Sequence, residues 1–303
     1  TSSARPAPAG EGMRGARWLI DSLRDKQPFD KSLGQHFLVN DELIVRAVEL
    51  GNVTDEDHVL EIGPGPGVLT EALLSTGCKL TAIEIDTGAV EHLRGAFAPE
   101  IESEQLLLIE GDALQTRWPE TVTKIIANIP YQISSPLIDE LTRYHRNPRT
   151  TELQRIVLLV QEEFAERLVM EYESDVGSLG MTVCLDWECE IEDKVPPHHF
   201  SPMPKVNSCY ITMEPHGEAW PCDVRLVRQM IHLAFDQRRK KLRSTLKAVP
   251  RRIGRVNGWH AGRWKQAYAA HQDDERMELR PEELEFDDWI ELCESFTRNA
   301  DNS

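Results

Sequence analysis

A glycine-rich turn between a short apolar run and a helix-like run is the feature that most constrains the fold of this chain. The apolar run is residues 58–62, the turn is Gly63-Pro-Gly-Pro-Gly67, and the helix-like run is residues 68–74. Glycine has no Cβ atom, so the chain can turn tightly there and a ligand can lie against the backbone. The pattern therefore predicts a strand, a ligand-binding turn and a helix.

Strand-like and helix-like segments continue to alternate along the chain. Strands are predicted at residues 79–85, 105–110, 124–128 and 155–160, with helical segments between them. Such alternation is typical of right-handed βαβ units around a parallel sheet. Residues 209–213 are predicted to add an antiparallel strand at the edge of that sheet.

The sequence pattern changes near residue 216, where proline and glycine mark a boundary. Beyond it, apolar residues from Val224 to Leu246 recur at three- and four-residue spacing, which predicts helix, and a last helix is predicted to begin at Pro281. The predicted parts are a flexible tail over residues 1–29, an α/β domain over 30–216 and a small all-helical domain over 217–303.

Composition excludes several classes of protein. No apolar run reaches the roughly 18 to 20 residues that a membrane-spanning helix requires, and the amino-terminal 17 residues lack the apolar segment of a secretory signal. The six cysteines form neither a CxxC pair nor a Cys/His array with zinc-ligand spacing. We therefore expect reduced thiols, no metal and a cytoplasmic protein.

The charge is distributed unevenly. The chain has a net charge of −17, yet residues 237–272 contain eleven Lys or Arg residues and no Asp or Glu. An ordinary exposed helix would mix charges of both signs, so this stretch favours contact with nucleic-acid phosphates over a merely solvated face. The residues predicted to make these contacts, on a predicted helix, are Arg238, Arg239, Lys240, Lys241, Arg243 and Lys247.

The residues around the glycine turn decide which ligand it suits. No Lys-Ser or Lys-Thr pair follows the glycines, and the Glu-x-Gly-x-Gly-x-Gly spacing differs from the dinucleotide motif. Glu61, near the end of the first strand, would repel a pyrophosphate. A ligand with a cationic group, such as the amino-acid and sulfonium part of S-adenosylmethionine, meets no such repulsion.

Two further carboxylates are expected at the same edge of the sheet. Glu84 lies at the end of the second strand, 21 residues beyond Gly63, which is the expected place for an acid that binds ribose hydroxyls. Asp112 follows the third strand and is suited to accept a hydrogen bond from an adenine amino group. Each could instead cap a turn or face solvent. Their positions at successive strand ends favour a shared ligand.

The fourth strand ends in Asn128-Ile-Pro-Tyr131, a motif with its own chemistry. Proline lacks an N–H group, so the stretch presents carbonyl oxygens, and Asn128 adds a side-chain acceptor. Two acceptors would hold an exocyclic amine with its lone pair towards a methyl donor, while Tyr131 stacks on the base. The alternative is an asparagine that caps a helix and a tyrosine in the core.

From about residue 30 to the end, the chain resembles the KsgA-type ribosomal RNA adenine N6-dimethyltransferase family in the order and spacing of its motifs. The matching segments are Lys31-Ser-Leu-Gly-Gln-His-Phe-Leu38, the glycine turn, Glu84-Ile-Asp86, Gly111-Asp112, Asn128-Ile-Pro-Tyr131, Gln161-Glu162 with Glu166-Arg-Leu168, Phe200-Ser-Pro-Met-Pro-Lys-Val206 and Phe235-Asp-Gln-Arg-Arg-Lys-Lys-Leu242. The resemblance implies a Rossmann-like α/β domain that uses S-adenosylmethionine, followed by a small all-helical domain. It also implies N6-dimethylation of two adjacent adenines in the 3′-terminal hairpin loop of small-subunit rRNA, on an immature small ribosomal subunit.

The same resemblance implies roles for individual residues. The implied cofactor-binding residues are His36, Leu38, Gly63, Gly65, Glu84, Asp112 and Asn128. The implied catalytic residues are Asn128, Pro130, Tyr131 and Phe200, with Tyr131 and Phe200 on the two faces of the adenine. A core position is the alternative for Phe200. Many relatives have Asn in place of His36. We therefore expect His36 to contact the cofactor through its backbone or by ring stacking, and not through a specific side-chain hydrogen bond.

Other functions compete with this interpretation. An antibiotic-resistance methylase that acts on large-subunit RNA shares the asparagine motif, but its family lacks the Gln-Arg-Arg-Lys segment. A ribosome-assembly or transcription factor that kept the fold and lost its activity also competes with it, as does a dehydrogenase. The intact acids Glu84 and Asp112, with Asn128 and Tyr131, argue against lost activity. His198 and His199 lack a third ligand at suitable spacing, so we expect a surface pair and no metal site. The chain is expected to be a monomer.

Overall fold

The computed structural model describes residues 15–25, 36–217 and 219–301, apart from the side chains of residues 300 and 301. The described chain forms two compact units. One contains the described residues up to Ala165 together with Cys189–Pro215, and the other contains Glu166–Glu188 and the described residues from His216 onward. The helical unit thus includes a segment, 166–188, that precedes the boundary predicted near residue 216.

The first unit is built on a seven-stranded sheet. Five adjacent strands, in the order β4-β3-β2-β5-β6, run parallel to one another. The strands are β1 (Phe37–Leu38), β2 (His58–Ile62), β3 (Lys79–Glu84), β4 (Leu106–Glu110), β5 (Lys124–Asn128), β6 (Arg155–Gln161), β7 (Trp187–Val195), β8 (Phe200–Ser201) and β9 (Ser208–Pro215). This confirms the Rossmann-like α/β prediction. Strands β1 and β8 form a separate two-stranded antiparallel sheet.

The edge of the large sheet differs from the prediction. Strand β9 does run antiparallel to β6, but it is an inner strand, and β7 forms the edge beyond it. The sequence Trp187-Glu-Cys-Glu-Ile-Glu-Asp-Lys-Val195 is rich in charged residues, and only its two ends are buried. An edge strand needs no continuous apolar run, which is why the sequence did not reveal it.

The helices of the first unit cover the sheet. They are α1 (Ala16–Arg24), α2 (Asp41–Leu50), α3 (Val68–Leu74), α4 (Thr87–Ala96), α5 (Ala98–Glu102) and α6 (Ser134–His145), while α7 (Glu162–Val169) crosses into the second unit. Side-chain caps fix two of their starts: Asn40 accepts from the backbone N–H of Leu43, and Asp86 accepts from those of Gly88 and Ala89.

The predicted flexible tail over residues 1–29 is wrong where the structure describes it. Helix α1 buries Ala16, Leu19, Ile20 and Leu23, which recur at three- and four-residue spacing, and it packs on α3 and α4. An amphipathic stripe of this kind stabilises a helix through tertiary contact. The neighbouring Ala-, Pro- and Gly-rich sequence hid the pattern. The tail residues 1–14 and 26–29 lie outside the described part of the chain.

The second unit is helical, with a core that contains Trp264, Trp289 and Phe296. Its helices are α8 (Ser178–Val183), α9 (Val224–Phe235), α10 (Leu242–Thr245), α11 (Ala261–Ala270) and α12 (Phe286–Asp301), with short 3₁₀ turns at Glu275–Glu278 and Pro281–Glu283. The last helix therefore begins at Phe286, five residues after the prediction. None of the helices in the described ranges has both the length and the apolar character required to cross a bilayer.

Candidate active site

A cavity of about 280 Å³ opens at the carboxyl ends of the parallel strands of the first unit, where open α/β sheets bind ligands. Every residue predicted for cofactor binding or catalysis lines it. These residues are His36, Leu38, Gly63, Gly65, Glu84, Asp112, Asn128, Pro130, Tyr131 and Phe200. The structure thus brings together side chains from both of its sheets and from the loops between them.

The glycine turn has a backbone that other residues would strain. Gly63, Gly65 and Gly67 have φ angles of +68°, +55° and +88°, values that L-residues with a Cβ atom avoid. A Cβ on Gly67 would lie 2.5 Å from Cε2 of Phe97. The glycines therefore let helix α3 begin directly above the cavity and let α4 pack closely beneath the turn.

The Glu84 carboxylate anchors this turn from the neighbouring strand. It accepts hydrogen bonds from the backbone N–H groups of Gly65 and Asp86, both at 2.9 Å, and it is only 3% exposed. Burial raises the pKa of Glu84, and the two backbone donors partly offset that effect. Each oxygen of a carboxylate can accept more than one hydrogen bond, so Glu84 has acceptor capacity left for a ligand.

Glu61 is a second buried acid in the cavity wall. It accepts a hydrogen bond from the hydroxyl of Thr70 at 2.7 Å and is 1% exposed. Burial, reinforced by the nearby charge of Glu84, raises the pKa of Glu61 to about 8. Near neutral pH this carboxyl is therefore largely protonated, and a cationic ligand would favour its ionised form. From the sequence alone, Glu61 is predicted only to repel a pyrophosphate.

Asp112 and Ile85 lie further along the same edge. Asp112 Oδ1 accepts from the backbone N–H of Leu114 at 2.9 Å, so the side chain caps a turn while it lines the cavity. Ile85, which follows Glu84, is 54% exposed and also lines the cavity. Ile85 lies in the matching Glu84-Ile-Asp86 segment, but no role is predicted for it from the sequence.

The end of β5 places an unsatisfied acceptor in the cavity wall. Asn128 Oδ1 is buried and has no hydrogen-bond partner among the described residues, which is costly unless a ligand supplies the donor. The backbone carbonyl of Pro130 accepts from the N–H of Ile133 at 3.1 Å, where Tyr131–Ile133 form a 3₁₀ turn. The Tyr131 hydroxyl is 2.7 Å from Ser208 Oγ. Ser208 thus holds the hydroxyl, while the ring of Tyr131 lines the cavity.

The opposite wall comes from the small two-stranded sheet, in which Leu38 faces Phe200. His36 stacks on Tyr131 with ring centroids 5.8 Å apart. Its Nδ1 donates to the carbonyl of Pro202 at 2.8 Å. His36 thus stacks on another residue of the cavity, whereas the contact expected from the sequence is one with the cofactor. Residues 31–35, which carry the start of the matching motif, lie outside the described part.

His198 and His199 pack against each other with ring centroids 4.0 Å apart. His199 Nδ1 lies 3.1 Å from Asn40 Nδ2, so one of its ring nitrogens takes part in a structural hydrogen bond. Within the described ranges, no group of three or more His, Cys, Asp or Glu side chains is arranged to hold a metal ion.

In the second unit, the predicted helix under the basic residues is only partly present: Arg243 lies on α10, but the five other basic residues do not lie on a helix. Residues 236–239 form a turn and Lys241 is extended, so that the N–H of Leu242 donates to the carbonyl of Leu279 at 2.8 Å. That tertiary hydrogen bond replaces a helical one. All six predicted phosphate-binding side chains are exposed.

Acids from the 3₁₀ turns pair with half of these basic residues. Glu282 binds Arg238, and Glu278 binds both Lys241 and Arg243. No ion pair joins Arg239, Lys240 or Lys247 to another residue that the structure describes. The sequence window lacks acids, but in the structure only three of the six basic residues have no acidic ion-pair partner among the described residues.

Comparison with known proteins identifies the family. Residues 26–257 match the family described as ribosomal RNA adenine dimethylase. The chain belongs to this family. The ribosomal RNA small subunit methyltransferase A of Synechococcus elongatus is 35% identical over 279 residues, which cover 88% of this chain and 94% of that protein. A probable ribosomal RNA small subunit methyltransferase A of Thermococcus kodakarensis is 34% identical, with coverage of 86% and 90%.

Solved structures agree with this family. A dimethyladenosine transferase from Plasmodium falciparum superposes with a TM-score of 0.72 at 27% identity and covers 87% of this chain and 98% of its own. The 23S rRNA methyltransferase ErmE, with a TM-score of 0.60 at 23% identity over 85% of this chain and 99% of its own, shares the fold.

Members of the ribosomal RNA adenine dimethylase family are methyltransferases that use S-adenosylmethionine, and the residues of this cavity fit that cofactor. Acidic side chains suit its cationic group and its ribose hydroxyls, and Gly63 leaves a backbone surface without a Cβ. The exposed side chain of Ile85 offers apolar contact to an adenine ring.

Proposed function

We propose that this chain transfers methyl groups from S-adenosylmethionine to N6 of two adjacent adenines in the 3′-terminal hairpin loop of small-subunit rRNA, with an immature small ribosomal subunit as its substrate. The family supports rRNA adenine as the methyl acceptor. The names of the relatives from Synechococcus and Thermococcus support the small subunit. Unpaired loop bases can be turned into a pocket at low cost.

The single observation that carries this proposal is the unsatisfied Asn128 Oδ1 in the cavity wall. An adenine N6 amine has two N–H groups and would supply the missing donor. A carbonyl in the Ile129–Pro130 pair would accept the second N–H. With both hydrogens directed at protein acceptors, the nitrogen lone pair is held in one direction, which is the orientation that methyl transfer requires.

The cofactor-binding residues have distinct tasks in this proposal. Glu84 would hold the ribose hydroxyls and Asp112 the adenine amino group. Gly63 and Gly65 would back the methionine end. His36 and Leu38 would close the open side of the cavity, and Asn128 would contact both cofactor and substrate.

The aromatic side chains would hold the target base. Tyr131 would contact one face of the adenine and Phe200 the other, since both line the cavity. Phe200 is also packed in the apolar core and is only 6% exposed, so only that part of its ring is open to the base. Stacking on an aromatic ring contributes about 1–3 kcal/mol per base. Burial raises the pKa of Tyr131, with Ser208 as its hydrogen-bond partner, so its hydroxyl stays protonated and serves to hold the ring.

The chemistry requires orientation rather than a strong base. The bound cofactor supplies an electrophilic methyl group on a sulfonium. Asn128 and the neighbouring carbonyl orient the amine, whose surplus proton leaves to water after the nitrogen has been methylated. Positioning and fixed dipoles account for most of the acceleration in such a site.

The second unit would bind RNA phosphates through the basic residues between α9 and α11. Arg239, Lys240 and Lys247 are the strongest candidates, since no ion pair to a described residue competes for them. Arg238, Lys241 and Arg243 would have to exchange a carboxylate for a phosphate. We further propose that the protein acts in the cytoplasm as a monomer, where its cysteines, all free thiols in the structure, stay reduced.

Methyl transfer to unmethylated small subunits tests the proposal. Purified protein would be incubated with labelled S-adenosylmethionine and small subunits that lack the modification, and the RNA would be digested to nucleosides. We expect N6,N6-dimethyladenosine from the wild-type protein and about a hundredfold less, or lower still, from Asn128→Ala, because the amine loses its orientation. The matched control is Asn147→Ala, because Asn147 is exposed in the turn after α6.

Three outcomes would contradict the proposal. Label on large subunits instead of small ones would favour the large-subunit methylase, and label on another nucleoside would change the acceptor. No transfer by the wild-type protein, with cofactor and subunit binding intact, would indicate a non-catalytic assembly factor.

A further inference from the structure

The last residue of helix α1 contacts Ser201, the neighbour of the cavity-lining residue Phe200. The helix is docked by its buried apolar stripe, and its first backbone N–H, at Ala16, donates to Asp41 Oδ1 at 2.9 Å. At the other end Arg24, whose side chain is 39% exposed, lies 3.9 Å from Asp21. The Arg24 guanidinium also donates a hydrogen bond to the Ser201 hydroxyl.

Ser201 lies between two residues that shape the cavity wall. It follows Phe200, which lines the cavity, and it precedes Pro202, whose carbonyl accepts the hydrogen bond of His36. A shift of the Ser201 backbone would therefore move both Phe200, which lines the cavity, and the Pro202 carbonyl, which anchors His36. Arg24 thus contacts the one residue that links these two groups.

The segment around Ser201 has little other support from the sheet. Strand β8 contains two residues and pairs with the two residues of β1, apart from the large sheet. One further backbone hydrogen bond, from Val39 N–H to the carbonyl of His199 at 2.8 Å, extends the pair. An isolated two-stranded pair is only marginally stable in water. The bond from the docked helix therefore adds to a segment that is otherwise held by this pairing and by the burial of Phe200.

We propose that Arg24 is a positioning residue for methyl transfer, which holds Ser201 and thereby fixes Phe200 and the His36 anchor at the cavity. This inference rests on the proposed function of the cavity. Arg24 does not line the cavity. It acts through Ser201, and misplacement of reacting groups by about 1 Å can lower a rate about a hundredfold.

The test compares four variants: Arg24→Ala, Arg24→Lys, Ser201→Ala and the double variant of Arg24→Ala with Ser201→Ala. The control is Arg17→Ala, because Arg17 is an exposed arginine on the same helix. For each protein we would measure kcat and KM with unmethylated small subunits, the Kd for S-adenosylhomocysteine, and amide hydrogen exchange over residues 199–203.

We expect Arg24→Ala to lower kcat about tenfold, a fraction of the loss that misplacement can cause, and to speed exchange at residues 199–203. The Kd for S-adenosylhomocysteine should change less than kcat does, since the glycine turn and its acids are untouched and His36 is the cofactor-binding residue whose anchor shifts. Arg24→Lys should recover part of the rate because it keeps a donor but loses the planar fork. The double variant should be no worse than Arg24→Ala alone, since both changes remove the same bond.

Several results would overturn the inference. Unchanged exchange at residues 199–203 in Arg24→Ala would show that the arginine does not hold the segment. Faster exchange with an unchanged kcat would show that the contact has no part in the reaction. An equal loss of kcat in Arg17→Ala would point to general destabilisation of α1. If the wild-type protein methylated no RNA, the proposed function itself would be wrong. Hydrogen exchange at residues 199–203 would then still show whether Arg24 holds this segment.

Discussion

The Glu84 carboxylate accepts a hydrogen bond from the backbone N–H of Gly65 at 2.9 Å, across the gap between two neighbouring strands. The bond joins the acid at the end of β3 to the glycine turn after β2. One carboxylate therefore shapes the turn and lines the cavity at the same time.

Replacement of Glu84 by Gln tests this double role. The amide keeps the size of the side chain but loses a charged acceptor, so we expect the affinity for S-adenosylhomocysteine to fall by at least about tenfold, the order of one charge-assisted hydrogen bond. Isothermal titration calorimetry would measure the change. Glu110→Gln is the matched control because Glu110 is the register partner of Glu84 on the next strand and does not line the cavity. Equal losses in the two variants would argue against a specific ribose contact.

Glu61 predicts a dependence of stability on pH. Its pKa is about 8 in the folded protein against an ordinary value of 4.5, so between these values the folded state holds a proton that the unfolded state has released. The contribution of this group to stability therefore decreases as pH rises from about 5 to 8, by up to about 1.4 kcal/mol per pH unit. Glu61→Gln should remove this trend.

Denaturant unfolding of the ligand-free protein at pH 5 and pH 8 would measure the effect. The free energy of unfolding of Glu61→Gln minus that of the wild-type protein should be larger at pH 8 than at pH 5. We expect the increase to exceed about 1 kcal/mol, a conservative share of that slope. Glu91→Gln, at an exposed position on α4, is the control and should follow the wild-type protein. A constant difference between Glu61→Gln and the wild-type protein at both pH values would show that Glu61 ionises in the fold as it does in the unfolded chain.

The strand-end side chains could be predicted from the sequence because the parallel sheet itself brings them together. Once the strands before Glu84, Asp112 and Asn128 are recognised, the carboxyl ends of parallel strands must share one edge. Phe200 and His36 needed the family resemblance, because the small sheet that contains Phe200 and directly follows His36 has two residues per strand and no periodic signal.

What the sequence did not reveal depends on contacts between distant residues. The turn at residues 236–239 replaces a predicted helix because Leu242 N–H bonds to Leu279, and local spacing carries no trace of that partner. In the same way, Glu278 and Glu282 lie outside the acid-free window yet bind its side chains. Helix α1 was hidden by composition, although its apolar spacing is regular.

Gly67 predicts a large loss of stability on a small substitution. Gly67→Ala would put a Cβ on a residue with φ of +88° and within 2.5 Å of Phe97 and 2.8 Å of Leu93. We expect the free energy of unfolding to fall by about 2 to 4 kcal/mol, the sum of a left-handed backbone penalty and overpacking. Gly217→Ala is the matched control, since a Cβ there would meet no described atom within 4 Å. Equal stability of the two variants in urea would show that Phe97 moves aside without cost.

The neighbours Arg238 and Arg239 allow the RNA-binding prediction to be tested within one turn. Both are exposed, but Arg238 binds Glu282 at 2.8 Å and donates to the carbonyl of Val176, whereas no ion pair to a described residue occupies Arg239. A phosphate contact releases counterions, so its loss lowers the slope of log K against log salt by about 0.7 to 0.9. We expect this change for Arg239→Ala in filter-binding titrations with small-subunit rRNA at several salt concentrations.

Arg238→Ala should change the slope less because the Arg238 guanidinium is already neutralised by a carboxylate. Equal slopes for Arg239→Ala and the wild-type protein would place the RNA elsewhere on the molecule, whereas a larger change in Arg238→Ala would mean that phosphate displaces Glu282.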